Sequence, residues 1–201
     1  MKVPDSGMPD EVYWNSLFDI PRIVDWLDLK SLHGPTAEFG SGYGTFTIPI
    51  AERTTDIVHA FDIDPLMIET ASKNARTAGI HNVRFHLRDI VEEGCALPAG
   101  SVALVLLFNI LHSEHRRLFL AEASHILTQS GRIAVIHWRK DIETPRGHRQ
   151  DLRPDQRTIL NEISDLGLQC DGNGRILEPY HWGLQLIKGS LNEDRSHSRN
   201  K

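Results

Sequence analysis

Glu38-Phe39-Gly40-Ser41-Gly42-Tyr43-Gly44-Thr45-Phe46 is the stretch around which the rest of this sequence is arranged. Pro35-Thr36-Ala37 before it leads into a short strand, and Thr45 to Glu52 after it reads as a helix. The glycines therefore occupy a strand-to-helix turn, the place where open α/β sheets hold ligands. Glycine tolerates positive φ there and lets a ligand come close to the backbone. The start of the next helix offers unpaired N–H groups and a partial positive charge. The dinucleotide pattern G-x-G-x-x-G would need glycine where this chain has Thr45. The pattern is instead acid-x-Gly-x-Gly-x-Gly, with Glu38 two residues before the first glycine. A carboxylate at that point sits poorly beside a pyrophosphate and suits an ammonium or a hydroxyl. The turn thus points to a ligand that carries both an amine and a carboxylate. The plain alternative is a tight turn that binds nothing.

Working outward, strands and helices alternate. Ile57 to Phe61 reads as a second strand and ends at Asp62-Ile63-Asp64-Pro65. Asp64 is placed to cap the next helix and Pro65 to occupy its first turn. Met67, Ile68, Ala71 and Ala75 share a face of that helix, and Gly79 ends it. Val83, Phe85 and Leu87 alternate along a third strand that runs into Asp89. Val102 to Phe108 is a nearly continuous apolar run, as in a central strand covered on both faces. Asn109-Ile110-Leu111-His112 leaves it, and Ser113 is placed to cap a helix reaching Ile126. Ser130-Gly131 is read as the break before a fifth strand, Arg132 to His137. A polar connection follows, then a helix from Pro154 to Leu166, then a strand pair at Arg175 to Leu177 and Gly183 to Ile187. Strands alternating with helices imply right-handed crossovers and a parallel, doubly wound α/β sheet. Residues 1–30 form a helical arm with Tyr13, Trp14, Phe18 and Trp26, either a lid or a flank. Residues 31–188 form the main domain, and residues 189–201 a polar, disordered tail.

Composition narrows the function. The 201 residues suit one domain, with 40% hydrophobic and 24% charged residues. A net charge of -5 argues against tight non-specific binding to nucleic acid. Cys95 and Cys170 have no metal-type spacing and make no disulfide framework, which fits a reducing cytoplasm. No apolar signal core stands at Met1 to Asp5, and no run is long enough to span a membrane.

Taken together, Glu38 to Gly44, Phe61-Asp62-Ile63-Asp64, Arg88-Asp89-Ile90, Leu106-Leu107-Phe108-Asn109 and Leu127 to Arg132 resemble the class I S-adenosylmethionine-dependent methyltransferases. The style is loosely similar to small bacterial, quinone-methylating members. The resemblance implies a Rossmann-like, doubly wound seven-stranded sheet, mostly parallel with an antiparallel last strand. It implies S-adenosyl-L-methionine as co-substrate, with Glu38, Phe39, Gly40, Ser41 and Gly42 around the methionine portion and Glu38 near its ammonium. Asp62 would accept from both ribose hydroxyls, as an acceptor-only carboxylate with two oxygens can. Asp89 would receive the adenine amino group, Ile63 and Ile90 would flank the ring, and the backbone of Asn109 would face the methionine end.

Methyl transfer from a sulfonium needs alignment, exclusion of water and sometimes removal of a proton. His112, just past the fourth strand, is the first candidate base, and His137, at the end of the fifth, is the second. His181 and Tyr180 lie between the last strands. His112-Ser113-Glu114-His115 lacks the H-E-x-x-H spacing, and no metal is expected. Arg139, Lys140, Arg146, Arg149 and Arg153 make the connection after the fifth strand basic. It is read as a solvated loop or an anion-binding rim. The expected acceptor is a small molecule. An RNA or protein acceptor, and a domain that binds S-adenosylmethionine without turnover, are the alternatives.

Overall fold

The computed structural model describes residues 8–189. Eight strands form one sheet: β1 (Thr36–Phe39), β2 (Val58–Asp62), β3 (Val83–Leu87), β4 (Val102–Phe108), β5 (Leu127–Trp138), β6 (Leu168–Cys170), β7 (Arg175–Leu177) and β8 (His181–Lys188). Their order is β3-β2-β1-β4-β5-β8-β6, with β7 also on β8. The pairs from β3 through β5 are parallel, and β8 is antiparallel to β5, β6 and β7. The order reverses between β1 and β4, so the crevice between their carboxyl ends is where this class of sheet places a site.

Among the described residues, seven α-helices accompany the sheet: α1 (Glu11–Asn15), α2 (Ile20–Trp26), α3 (Thr47–Ala51), α4 (Pro65–Thr77), α5 (Ile90–Glu93), α6 (Arg116–Ile126) and α7 (Gln156–Glu162). β4 is buried along its whole length. Its side chains alternate between two cores. Val105 and Leu107 pack with Leu120, Ile126 and Ile163, while Leu104, Leu106 and Phe108 pack with Ile23, Phe46, Ile50 and Trp138. A strand with apolar layers on both sides has no position for a polar residue, and β4 has none. α4 begins as expected: Asp64 accepts from the Leu66 N–H at 3.0 Å and Pro65 follows. Gly79, at φ +72°, ends the helix.

The sheet has eight strands where seven were expected. Both β6 and β7 lie along the outer edge of β8, one after the other, and the chain bends between them at Asp171 to Gly174. One edge position is thus filled by two three-residue pieces, and Leu168–Cys170 is too short for its alternation to be read. β5 starts at Leu127 rather than Arg132, because Leu127 already pairs with Val102 across an irregular register. The first helix after the glycine turn begins at Thr47, since the Thr45 hydroxyl is committed to Asn15 Oδ1 at 2.7 Å. Ser113 does not cap α6. His115 holds that position, and Ser113 Oγ accepts from its N–H at 3.1 Å. α7 is shorter than expected and is capped by Asp155, whose side chain accepts from the Thr158 N–H. The expected tail lies outside the described residues apart from Gly189, as do residues 1–7 of the arm.

Candidate active site

The backbone turn after β1 is built against β2. Gly40 and Ser41 both donate their N–H groups to the Phe61 carbonyl, at 2.8 and 2.9 Å. The Gly42 N–H donates to Asp62 Oδ2 at 2.8 Å, and the Asp64 N–H to Asp62 Oδ1 at 2.9 Å. Gly40 has φ +77°, and a Cβ there would come within 2.7 Å of Ile110 Cγ2. Only glycine leaves this approach to the backbone open.

A cavity of about 510 Å³ opens above the turn, outside the carboxyl ends of the parallel strands. One wall is acidic, with Glu38, Asp62, Asp64, Asp89 and Glu92. Glu38 is 1% exposed and accepts a hydrogen bond from the Thr47 hydroxyl. Burial pushes its carboxyl up to about 8, while the Thr47 bond pulls the other way. Burial also raises the Asp62 carboxyl, against the lowering effect of the Asp64, Gly42 and Ile63 backbone donors. Each Asp62 oxygen keeps a second lone pair for a ligand hydroxyl. Asp89 caps α5 by accepting from Val91 and Glu92 N–H. Ile63 and Ile90 also line the cavity.

Three polar groups on this wall fit a ligand. The Ser41 hydroxyl and both amide atoms of Asn109 are buried with no hydrogen-bond partner among the described residues. Asn109 is held at φ +56°, and its N–H donates to the Ile136 carbonyl at 2.8 Å. A left-handed residue with a buried, unpaired amide costs stability. The residues therefore fit a ligand with hydroxyl, amino and carboxylate groups. Phe39 does not belong with them. Its ring is fully buried and packs edge-on against Phe61 at 5.6 Å, on the far face of β1 from Glu38. Strand alternation sends adjacent side chains to opposite faces.

The other end of the cavity is aromatic and carries His112. Trp14 of the arm, Phe46, Phe108 and Trp138 line it, together with Pro145 to His148 from the segment after β5. His112 stacks on His148 with ring centroids 3.5 Å apart. Burial lowers His112 to about 4, and His148 adds to this, so it is a neutral imidazole near pH 7. His137 does not reach the cavity. It is fully buried under His112, 5.9 Å between centroids, and beside Trp182 at 6.4 Å. The period of β5 explains this, because Trp138 and Ile136 face the arm and His137 faces the opposite core. His181 is likewise buried, stacked on Phe18 at 4.5 Å.

The basic connection is exposed over most of its length, yet it is not loose. Arg153 is 7% exposed and donates to three backbone carbonyls, those of His148 (2.6 Å), Arg139 (2.7 Å) and Arg146 (3.3 Å). Lys140 pairs with Asp155 at 2.5 Å and ties the ends together. Gly147 lies on the Trp138 ring, where a Cβ would come within 2.8 Å. Residues 139–153 thus form a strap held from beneath. His148, Phe46 and Phe108 were not singled out in the sequence. His148 sits in a segment with no periodicity, and the two phenylalanines read as ordinary core.

Among the described residues, no group of three or more His, Cys, Asp or Glu side chains is placed to hold a metal ion. No helix among them is long and apolar enough to cross a membrane.

Residues 37–131 match the family model of a methyltransferase domain. An S-adenosylmethionine-dependent methyltransferase from Aquifex aeolicus shares the fold with a TM-score of 0.75, at 19% identity over 88% of this chain and 93% of that one. Magnesium protoporphyrin IX methyltransferase from Synechocystis PCC 6803, solved with bound S-adenosylmethionine, gives 0.67 at 16% identity over 91% of this chain and 86% of that one. A 23S rRNA (uracil(1939)-C(5))-methyltransferase from Salmonella choleraesuis is 30% identical over 79 residues, which is 39% of this chain and only 18% of that protein. The domain match covers the glycine turn and the strands that follow it, just under half of the chain, and the fold shared along most of the chain is that of S-adenosylmethionine-dependent methyltransferases.

Proposed function

We propose that the chain transfers a methyl group from S-adenosylmethionine to a small-molecule acceptor by direct displacement. One observation carries this reading: a single cavity joins the acidic wall above the glycine turn to an aromatic end with a neutral histidine. S-adenosylmethionine supplies an electrophilic methyl group on a sulfonium. Gly40, Ser41 and Gly42 bring the backbone against its methionine part, and Glu38 meets the ammonium. Asp62 accepts from the ribose hydroxyls. Asp89, Ile63 and Ile90 surround the adenine, and Asn109 faces the methionine end. Trp14 and the strap close the acceptor end against water. Alignment alone is worth on the order of 7–11 kcal/mol, so the fold supplies most of what the reaction needs by holding two partners in line.

RNA as acceptor is the second reading, and the partial likeness to the rRNA enzyme favours it. The net charge of -5 works against it. Retention on RNA that falls steeply with salt would select RNA over a small molecule.

The donor assignment is tested by calorimetry with S-adenosylmethionine and S-adenosylhomocysteine. Both are expected to bind the wild type. Asp62→Ala removes the charged acceptor for two hydroxyls, each such bond being worth about 1.5–3 kcal/mol, so affinity falls by roughly ten- to a hundredfold or more. Unchanged affinity in a folded Asp62→Ala variant refutes the ribose assignment.

A further inference from the structure

The cavity is divided by charge. All five of its carboxylates stand on the donor wall. The far end, made by the residues after β4, the end of β5 and the strap, is lined by His112, His115, His148 and Arg146, with no carboxylate among the lining residues there. Aromatic rings enclose the same space. Phe46 meets Phe108 edge-on at 4.9 Å, and Trp14 meets Trp138 edge-on at 6.3 Å. The His112–His148 stack has a built support, since Arg153 grips the His148 carbonyl at 2.6 Å and Gly147 is seated on Trp138.

This arrangement selects among acceptors by their chemistry. A protonated amine would lose its water with no lining carboxylate to meet it, a large desolvation cost. A carboxylate at His112 would face an imidazole kept neutral by burial. Arg146, two residues before His148, also lines this end. A neutral imidazole nitrogen accepts from an O–H, and flat aromatic walls suit a ring. Resting on the donor reading above, we propose that the acceptor is a planar aromatic molecule methylated on a ring hydroxyl, seated among Trp14, Phe108 and Trp138 with that hydroxyl against His112.

The step balances without a further reactant. A lone pair of the aryl oxygen forms the new O–CH₃ bond as the S–CH₃ bond breaks, and that bond's electron pair stays on sulfur. The hydroxyl proton passes to the His112 imidazole and from it to solvent. Nothing is oxidised or reduced. The products are an aryl methyl ether and a neutral thioether.

The test uses the full chain. Protein saturated with S-adenosylhomocysteine is titrated by calorimetry with catechol, 2-naphthol, benzylamine and benzoate. The same four compounds are then incubated with S-adenosylmethionine, and the products are read by mass spectrometry. The ring hydroxyls are expected to bind about tenfold or more tightly than the amine and the carboxylate, and to gain one methyl on oxygen. His112→Gln is expected to lower turnover by roughly a hundredfold while the affinity for S-adenosylhomocysteine stays the same. If S-adenosylhomocysteine itself fails to bind, the donor reading falls and this proposal with it. If it binds, yet benzylamine or benzoate is methylated, or neither ring hydroxyl binds at millimolar concentration, only the acceptor class is overturned.

Discussion

Glu38 is a carboxyl group buried at the end of a core strand with a hydroxyl, not a cation, as its hydrogen-bond partner. Its pKa of about 8 means that it is mostly protonated at pH 7 before any ligand arrives. In folding terms its contribution is fullest below the ordinary value of 4.5 and is lost as pH rises through about 8. A ligand ammonium reverses this preference, because an adjacent positive charge favours the ionised carboxylate. Binding of S-adenosylhomocysteine near pH 7 is therefore expected to expel close to one proton from Glu38. Calorimetry in buffers of different ionisation enthalpy counts that proton, and Glu38→Gln should expel none. A wild type that binds without proton release would separate Glu38 from the ligand's ammonium. At this scale the acids were legible in the sequence because each ends a strand or opens a helix. The histidines were not. His112 and His137 both follow strands, and only the alternation of β5, anchored by the arm against Trp138, sends His137 away from the cavity.

The arm illustrates what an element's own sequence leaves open. α1 is five residues long and buries none of them. It is held by what other elements offer. Tyr43 Oη donates to the Pro9 carbonyl at 2.7 Å, Asn74 donates to Glu11 Oε1 at 2.7 Å, and Thr45 donates to Asn15 Oδ1 at 2.7 Å. Two of these three donors belong to the glycine turn or its exit, so the arm docks on the donor wall and brings Met8 and Trp14 to the cavity. A net hydrogen bond is worth about 0.5–1.5 kcal/mol. Tyr43→Phe is thus expected to loosen the arm and weaken S-adenosylhomocysteine binding by roughly two- to tenfold. Hydrogen exchange should report the cause: amides of Val12 to Asn15 gain protection with the ligand in the wild type and gain less in the variant. Equal protection with and without ligand would make the arm a fixed flank. The amphipathic pattern gave the helices of the arm. Its docking depends on Tyr43, Asn74 and Thr45, which come from distant segments and carry no mark of it.

The whole molecule keeps several histidines out of water. His181 is pushed down to about 3 by burial, with Arg153 adding to it, His112 to about 4, and His137 well below its ordinary value. Such groups bind protons more readily in the unfolded chain. The stability they contribute is present above about pH 6.5 and is lost as pH falls toward their folded values. Each costs up to about 1.4 kcal/mol per pH step of one, against a total of roughly 5–15 kcal/mol for a domain of this kind. Glu38 and Asp62, both raised by burial, oppose this trend, while His59 and His86, both lowered by burial, add to it. Urea unfolding is expected to weaken markedly from pH 7 to pH 5, and His181→Phe, which keeps the stack with Phe18 and Trp138, should flatten the decline. A profile level over that range would mean that these histidines admit protons while folded. The parallel order of the sheet was legible at this scale, because β4 is apolar throughout and strands alternate with helices. The split edge beyond β8 was not, since three residues are too few to show a period. The strap has one more consequence, and it concerns descent. Arg153 holds that segment through backbone carbonyls, which every residue type possesses. Positions 146 and 148 can therefore change their side chains while the loop keeps its course. Over evolutionary time, such a scaffold lets the choice of acceptor drift while the machinery that handles the methyl donor is inherited intact.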